Sequence, residues 1–295
     1  MELGENALGP ALSSHGRPGA RRRRTLPRAF VLTLICSPVF LFLVLPTAVV
    51  IPMALTPQRY LEFPPSGISG HSFADFATDE AWTSAGVTSL KVAAIAVVIA
   101  LVMGASAAIA LHGARFRGKG LVVGVIVAPI VAPLIVLGLA DFQFFARFHL
   151  VGTVLAIGLA HSVIATPYAY LTVDASLAGL DPALVRSARS LGAGHLAVLR
   201  HVYLPAIRTG LLAGGAFAFA VSFDEAVIAL FIQGPGATTL PVKMFTDIQY
   251  ELSPKIAAVS SLLVGVATLV LLVQVLVLLR RRASGVATAM SVGAP

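Results

Sequence analysis

Two carboxylates stand side by side in the apolar stretch FAFAVSFDEAVIALF, residues 217–231: Asp224 and Glu225. An ionised side chain in such surroundings is costly unless it meets a counter-charge, hydrogen-bond donors or water. The chemistry open to this pair is therefore attraction of a cation along a hydrated route, or a polar lock between helices. Neighbouring helical residues point about 100° apart, so the two cannot face one spot squarely, and each is expected to have its own role. A third carboxylate, Asp141, ends another apolar run. His161 lies in the middle of a further run, with Tyr168 and Tyr170 beyond it; it fits a hydrogen bond between helices better than a proton relay. Ser162 and Ser222 lack the companions of an activated nucleophile. No His, Cys, Asp and Glu group has metal-ligand spacing. The lone cysteine, Cys36, reads as a small buried hydrophobe and excludes an intramolecular disulfide.

The elements around these residues are set by hydropathy. The 295 residues are 57% hydrophobic and 12% charged, against roughly 25% charged in a soluble domain. Mean hydropathy is +0.91. Six runs reach the length of about 20 residues that a membrane crossing needs: 30–51, 84–111, 121–140, 151–173, 211–232 and 256–279. The first is too long for the core of a cleaved signal and ends without a small-residue cleavage pattern. An all-α integral membrane protein with six transmembrane helices follows. Residues 1–27, rich in Gly, Pro, Ser and Arg, read as a disordered basic arm, 28–282 as the membrane domain and 283–295 as a tail. Asp224 falls about 21 Å into the fifth run, past the middle of a core about 30 Å thick.

Orientation follows from lysine and arginine placement. With the N-terminus inside, inner segments hold Arg17, the arginines at 21–24, Arg28, Arg115, Arg117, Lys119, Arg186, Arg189, Arg200, Arg208 and the arginines at 280–282. Outer segments hold only Arg59, Arg147, Lys243 and Lys255, while Lys91 snorkels near an outer end. Both termini are thus expected in the cytoplasm, and Asp141 at the outer end of the third span. The net charge of +8 is spread over short loops without interleaved aromatics, which speaks against nucleic acid. Trp82 sits where an interfacial aromatic belongs, and the outer loop after Gly234-Pro235-Gly236, with Asp247 and Glu251, is either a docking surface or plain solvated chain.

The inner segment between spans four and five is DASLAGLDPALVRSARSLGAGHLAVLRHVYLPAIRTG. Asp181-Pro182 is a helix start and Gly192 a helix stop. A second short helix should cover about 195–202 and end at Leu204-Pro205. The product is a compact two-helix element. It resembles the cytoplasmic EAA loop of ABC importer permeases, whose pattern is Glu-Ala-Ala, three residues, Gly, nine residues, Ile-x-Leu-Pro. Arg186-Ser187-Ala188 occupies the triplet, Gly192 the glycine, and Val202, Leu204 and Pro205 the closing motif; Arg186 reverses the charge of the family's glutamate. The stretches 88–111, 222–245 and 252–272 resemble the second, shorter permease subunit of spermidine/putrescine-type importers.

That resemblance, over about residues 28–280, implies a permease fold of the methionine-importer kind with 181–205 as the coupling loop. It implies a paired second permease, two ATP-binding subunits carrying ATP and Mg, an extracytoplasmic solute-binding protein, and a place in the bacterial inner membrane. The cargo it implies is a polyamine or related amine, with Asp224, Glu225 and Asp141 along its path. No cofactor and no covalent catalysis are expected on this chain, which has no G-x-x-x-x-G-K-[ST] loop for nucleotide phosphates. The alternatives are the same machine for an amino acid, opine or phosphonate, an ion-coupled secondary transporter, and a membrane-embedded enzyme. The secondary transporter leaves 181–205 unexplained.

Overall fold

The structure, a computed structural model, describes residues 28–250, 252–270 and 272. The arm at 1–27, the tail at 283–295, Glu251 and the end of the sixth predicted span lie outside the described residues. The helices are α1 (Arg28–Ala54), α2 (His71–Thr78), α3 (Glu80–Leu111), α4 (Lys119–Val127), α5 (Leu134–Arg147), α6 (Val154–Leu177), α7 (Pro182–Ser190), α8 (His195–Val198), α9 (Leu204–Asp224), α10 (Val227–Ile232) and α11 (Leu240–Tyr250), then α12 (Pro254–Val270). No strand occurs among the described residues. Contacts divide the chain into two units at Pro46 and Thr47, within α1. In the first unit, Leu34, Phe40, Leu41 and Phe42 are exposed, as is Cys36. Expecting Cys36 to be buried was wrong, because α1 there presents its apolar side chains outward, as a lipid-facing helix does.

The second unit is organised around α3, α6 and α9, which pack against one another. Lipid tails are as apolar as leucine, so such helices associate by close approach of small residues. On α9, Gly210, Gly214, Ala218 and Ser222 recur every four residues and are buried. On α3, Ala96, Ala100, Gly104 and Ala108 do the same. The fit leaves no room for a methyl group: a Cβ on Gly214 would lie 2.5 Å from Thr172 Oγ1, and one on Gly104 would lie 2.7 Å from the Tyr170 amide nitrogen. The large side chains, among them Val98, Val102 and Leu212, point outward.

Four of these elements are long and apolar enough to cross a membrane, or five if a bent pair counts as one. Six uninterrupted spans are not seen among the described residues. The third predicted span is broken: α4 continues through a 3-10 turn at Ala128–Ile130, and α5 then departs at 97°. Pro129 and Pro133 supply the cause. Proline lacks an amide hydrogen and disfavours helix in the residue before it. The fifth predicted span, 211–232, is also displaced: its helix begins at His195, runs to Asp224 and stops there. Leu204-Pro205 does not end the preceding helix. A wide π-type turn over Leu199–Tyr203 makes room for the proline ring, and the chain continues helically into α9.

Trp82 is 2% exposed, packed with Ala85, Leu240, Ile256 and Val259 and edge-on to Phe76.

Candidate functional site

The end of α9 places the two carboxylates on opposite errands. Helix geometry stops at Asp224 because Glu225 is extended, with φ −76° and ψ 119°. Asp224 is exposed there, whereas Glu225 is buried. Glu225 Oε1 accepts from the Ile228 amide at 2.9 Å, and Oε2 accepts from the Ile228 and Ala229 amides at 3.0 and 3.2 Å. These are first-turn amides of α10, which have no partner within their own helix. Carboxylate and helix start thus satisfy each other inside an apolar shell.

His161 joins this arrangement from α6. It is fully buried, with Nδ1 3.0 Å from Ser222 Oγ and Nε2 3.2 Å from Glu225 Oε2. The second approach is close but out of line for a hydrogen bond. His161, Ser222 and Glu225 therefore tie α6, α9 and the start of α10 at one point.

Asp141 lies in the second half of α5, after the bend, and not at the outer end of a continuous third span. Helix α5 packs against α10 so closely that a Cβ on Gly138 would sit 2.6 Å from Phe231 Cδ2. Asp141, half-buried there, falls within electrostatic reach of His161 and Glu225. The break at 131–133 makes this possible, since it returns α5 towards the end of α9.

Asp224 borders a cavity of about 550 Å³. Its wall comes from the bend (Pro129, Ile130, Leu134), from α6 (Ile164, Tyr168) and from the end of α9 and its break (Ala220, Val221, Glu225). The Tyr168 ring stacks on Phe217, with centroids 6.3 Å apart. An exposed carboxylate on a cavity with an aromatic residue in its wall is suited to a cation.

The two-helix element has the predicted local form. Asp181 caps α7 through the Ala183 amide at 2.8 Å, and Pro182 takes the first turn. Gly192 has φ +86°, the left-handed conformation that ends helices and that a side chain strains. The Ala193 amide then bonds back to the Ala188 carbonyl at 3.0 Å. Arg186 and Ser187 are exposed on α7 and Ala188 is half-buried; Val202 is half-buried in the π turn, and Leu204 and Pro205 are exposed at the start of α9.

Elsewhere two predicted outer lysines are engaged. Lys255 Nζ lies 2.8 Å from Asp79 Oδ2, and that hydrogen bond holds the Asp79 carboxyl below its usual range. Lys243 pairs with Asp247 at 2.8 Å and stands 5.5 Å from the Trp82 ring centre. Among the described residues no group of three or more His, Cys, Asp or Glu is arranged for a metal.

Residues 100–283 match the family of binding-protein-dependent transport system inner membrane components. The chain belongs to this family. It is a multi-pass inner-membrane permease subunit of the ABC importer class, and membership implies partnership with an ATPase and a solute-binding protein. Among relatives, the putrescine transport system permease protein PotI of Escherichia coli (strain K12) is 33% identical over 212 residues, 70% of this chain and 75% of that one. The spermidine/putrescine transport system permease protein PotC of Haemophilus influenzae (strain ATCC 51907 / DSM 11121 / KW20 / Rd) is 26% identical over 243 residues, 81% of this chain and 93% of that one. In fold, the permease is similar to a chain of a bacterial ABC transporter involved in the import of the acidic polysaccharide alginate. The TM-score is 0.63 at 13% identity, covering 84% of this chain and 95% of that one.

Within this permease, sequence reasoning missed the helix break, the Ser222 contact and the Tyr168 wall. The four-residue spacing of small residues on α9, ending in Ser222, was the available signal for the tight packing of α6 on α9.

Proposed function

We propose that this permease passes a polyamine or related amine, and that Asp224 is the carboxylate that meets it. The observation that carries this is an exposed carboxylate at a helix break, on a largely apolar cavity with Tyr168 in its wall. Two unit charges about 4 Å apart attract by roughly 4 kcal/mol at an effective dielectric near 20. That offsets part of an ammonium group's desolvation without trapping it. Glu225 lines the same cavity and holds the break in shape, and Asp141 lies behind it. The relatives named for putrescine and spermidine transport support the same cargo.

In this reading the chain crosses the membrane six times with both termini cytoplasmic, pairs with a second permease and rests on two ATP-binding subunits. ATP and Mg act on those subunits, and this chain contributes motion without covalent chemistry. Residues 181–205 form the coupling element, with Arg186, Ser187, Ala188 and Gly192 on its first limb and Val202, Leu204 and Pro205 on its second. Alternating access links a solute-binding protein outside to ATPase closure inside.

Uptake of labelled putrescine into proteoliposomes holding the whole importer tests the cargo. Asp224→Asn should raise the half-saturating concentration while leaving assembly with the partner subunits intact. Wild-type putrescine uptake by this variant would remove Asp224 from the path, and failure of the unmodified importer to take up putrescine would favour another solute. For topology, a cysteine at Ser69 in a Cys36→Ser background should react with an impermeant thiol reagent from outside, and one at Gly194 only after lysis. The opposite pattern would reverse the orientation.

A further inference from the structure

The exposed arc of α7 has a chemistry that specifies its partner. Residues 182–208 contain Arg186, Arg189, Arg200 and Arg208 but no aspartate or glutamate. All four arginines are exposed, and none forms an ion pair among the described residues. Along α7, Ala183 in the first turn is half-buried, and beyond that turn Val185 and Ala188 are the less exposed positions. At 100° per residue, the direction away from them runs through Ser187 and Ser190. Arg186 flanks these serines on one side, and Leu184 and Leu191 flank them on the other. Leu184 is 57% exposed and Leu191 88%.

A helix lying on a bilayer turns an apolar arc downward and keeps its cations at the edges. Here small polar serines occupy the centre, with charge on one flank only. That pattern fits a protein cleft: serines allow close approach, leucines need an apolar wall and an unpaired arginine needs a carboxylate.

Resting on the coupling role given above, we propose that the ATP-binding partner receives α7 in a groove with one acidic and one apolar wall, the acidic wall facing Arg186. The groove is thus matched to this permease and opposite in charge to one that takes a glutamate at the same position.

The test co-expresses the permease with its own ATPase and partner permease. It captures the assembly through a tag on this chain and measures the ATPase retained at low and high salt. The variants are Arg186→Lys, Arg186→Gln, Arg186→Glu and Leu191→Ser, exposed changes compatible with the helix or the turn after it. Arg186→Lys should keep the ATPase, and Arg186→Glu should lower retention about tenfold or more. Arg186→Gln should fall between them and lose much of the salt dependence. Full retention by Arg186→Glu together with a loss in Leu191→Ser would overturn the acidic wall while upholding the coupling role. Full retention by both would overturn the coupling role as well. Normal ATPase retention by Arg186→Glu with weakened binding of the assembly to anionic vesicles would assign the arginine to lipid and sink the proposal.

Discussion

The break between α9 and α10 and the hairpin of α7 and α8 treat charge in opposite ways. At the break, Glu225 is almost sealed from solvent and its oxygens are occupied by the amides of Ile228 and Ala229 and by contact with His161. On the hairpin, Arg186 and Arg189 project without an ion-pair partner among the described residues. The difference follows from the surroundings. In an apolar interior an unsatisfied charge is heavily penalised, so the fold must supply partners itself. At a solvated surface an unpaired guanidinium is inexpensive and stays available for another chain. Asp224 is the exception at the break, a carboxylate left exposed on a cavity, and this exception is the basis of its proposed role.

The largest effect should come from cutting the buried network. Glu225→Ala removes the partner of two amides and of His161, and should cost about 3–5 kcal/mol, read as lost thermal stability in detergent. Glu225→Gln keeps an amide acceptor and should cost much less. Equal stability of Glu225→Ala and wild type would erase the contrast between the two regions.

Next comes the small-residue ladder. Gly214→Val drives its Cβ towards Thr172 Oγ1 and the Ala169 Cα, and overpacking of this kind costs about 1–3 kcal/mol or more. Lower folded yield is expected, with a second-site Ala169→Gly change recovering part of it. On the hairpin, Gly192→Leu meets open space but strains a backbone at φ +86°, at about 1–2 kcal/mol. Membrane insertion should persist while uptake fails. Normal uptake would count heavily against the coupling assignment.

The smallest effect concerns Asp79 and Lys255, a partly exposed pair worth about 0.2–1 kcal/mol. Because Lys255 lowers the Asp79 pKa, this stability is fully present above the ordinary carboxylate value, near pH 4. It fades as pH falls through the lower folded value. Lys255→Met should abolish that acid-dependent component, visible in hydrogen exchange at the start of α3.

Much of this protein was legible in one dimension. Apolar run length announced α1, α3 and α6 to within a few residues, because a membrane core admits little besides long apolar helices. Asp181-Pro182 and Gly192 fixed α7, since capping and left-handed turns are local events. Hydropathy was blind to the breaks at 131–133 and at Glu225, because the residues on both sides are equally apolar. Neither could it foresee that Pro205 would be absorbed by a π turn.

What the sequence alone determined is the membrane class, the places of most helices and the local form of the 181–205 hairpin, all set by interactions within a few residues. What only the tertiary structure decided is which carboxylate is free. Asp224 and Glu225 are neighbours with the same charge, and no local rule separates them. His161, itself held by Ser222, and the amides of α10 engage Glu225, while the bend at Pro133 carries Asp141 towards it and leaves Asp224 facing the cavity. Those partners are distant in sequence or created by a change of chain direction, so their effect exists only once the helices are packed.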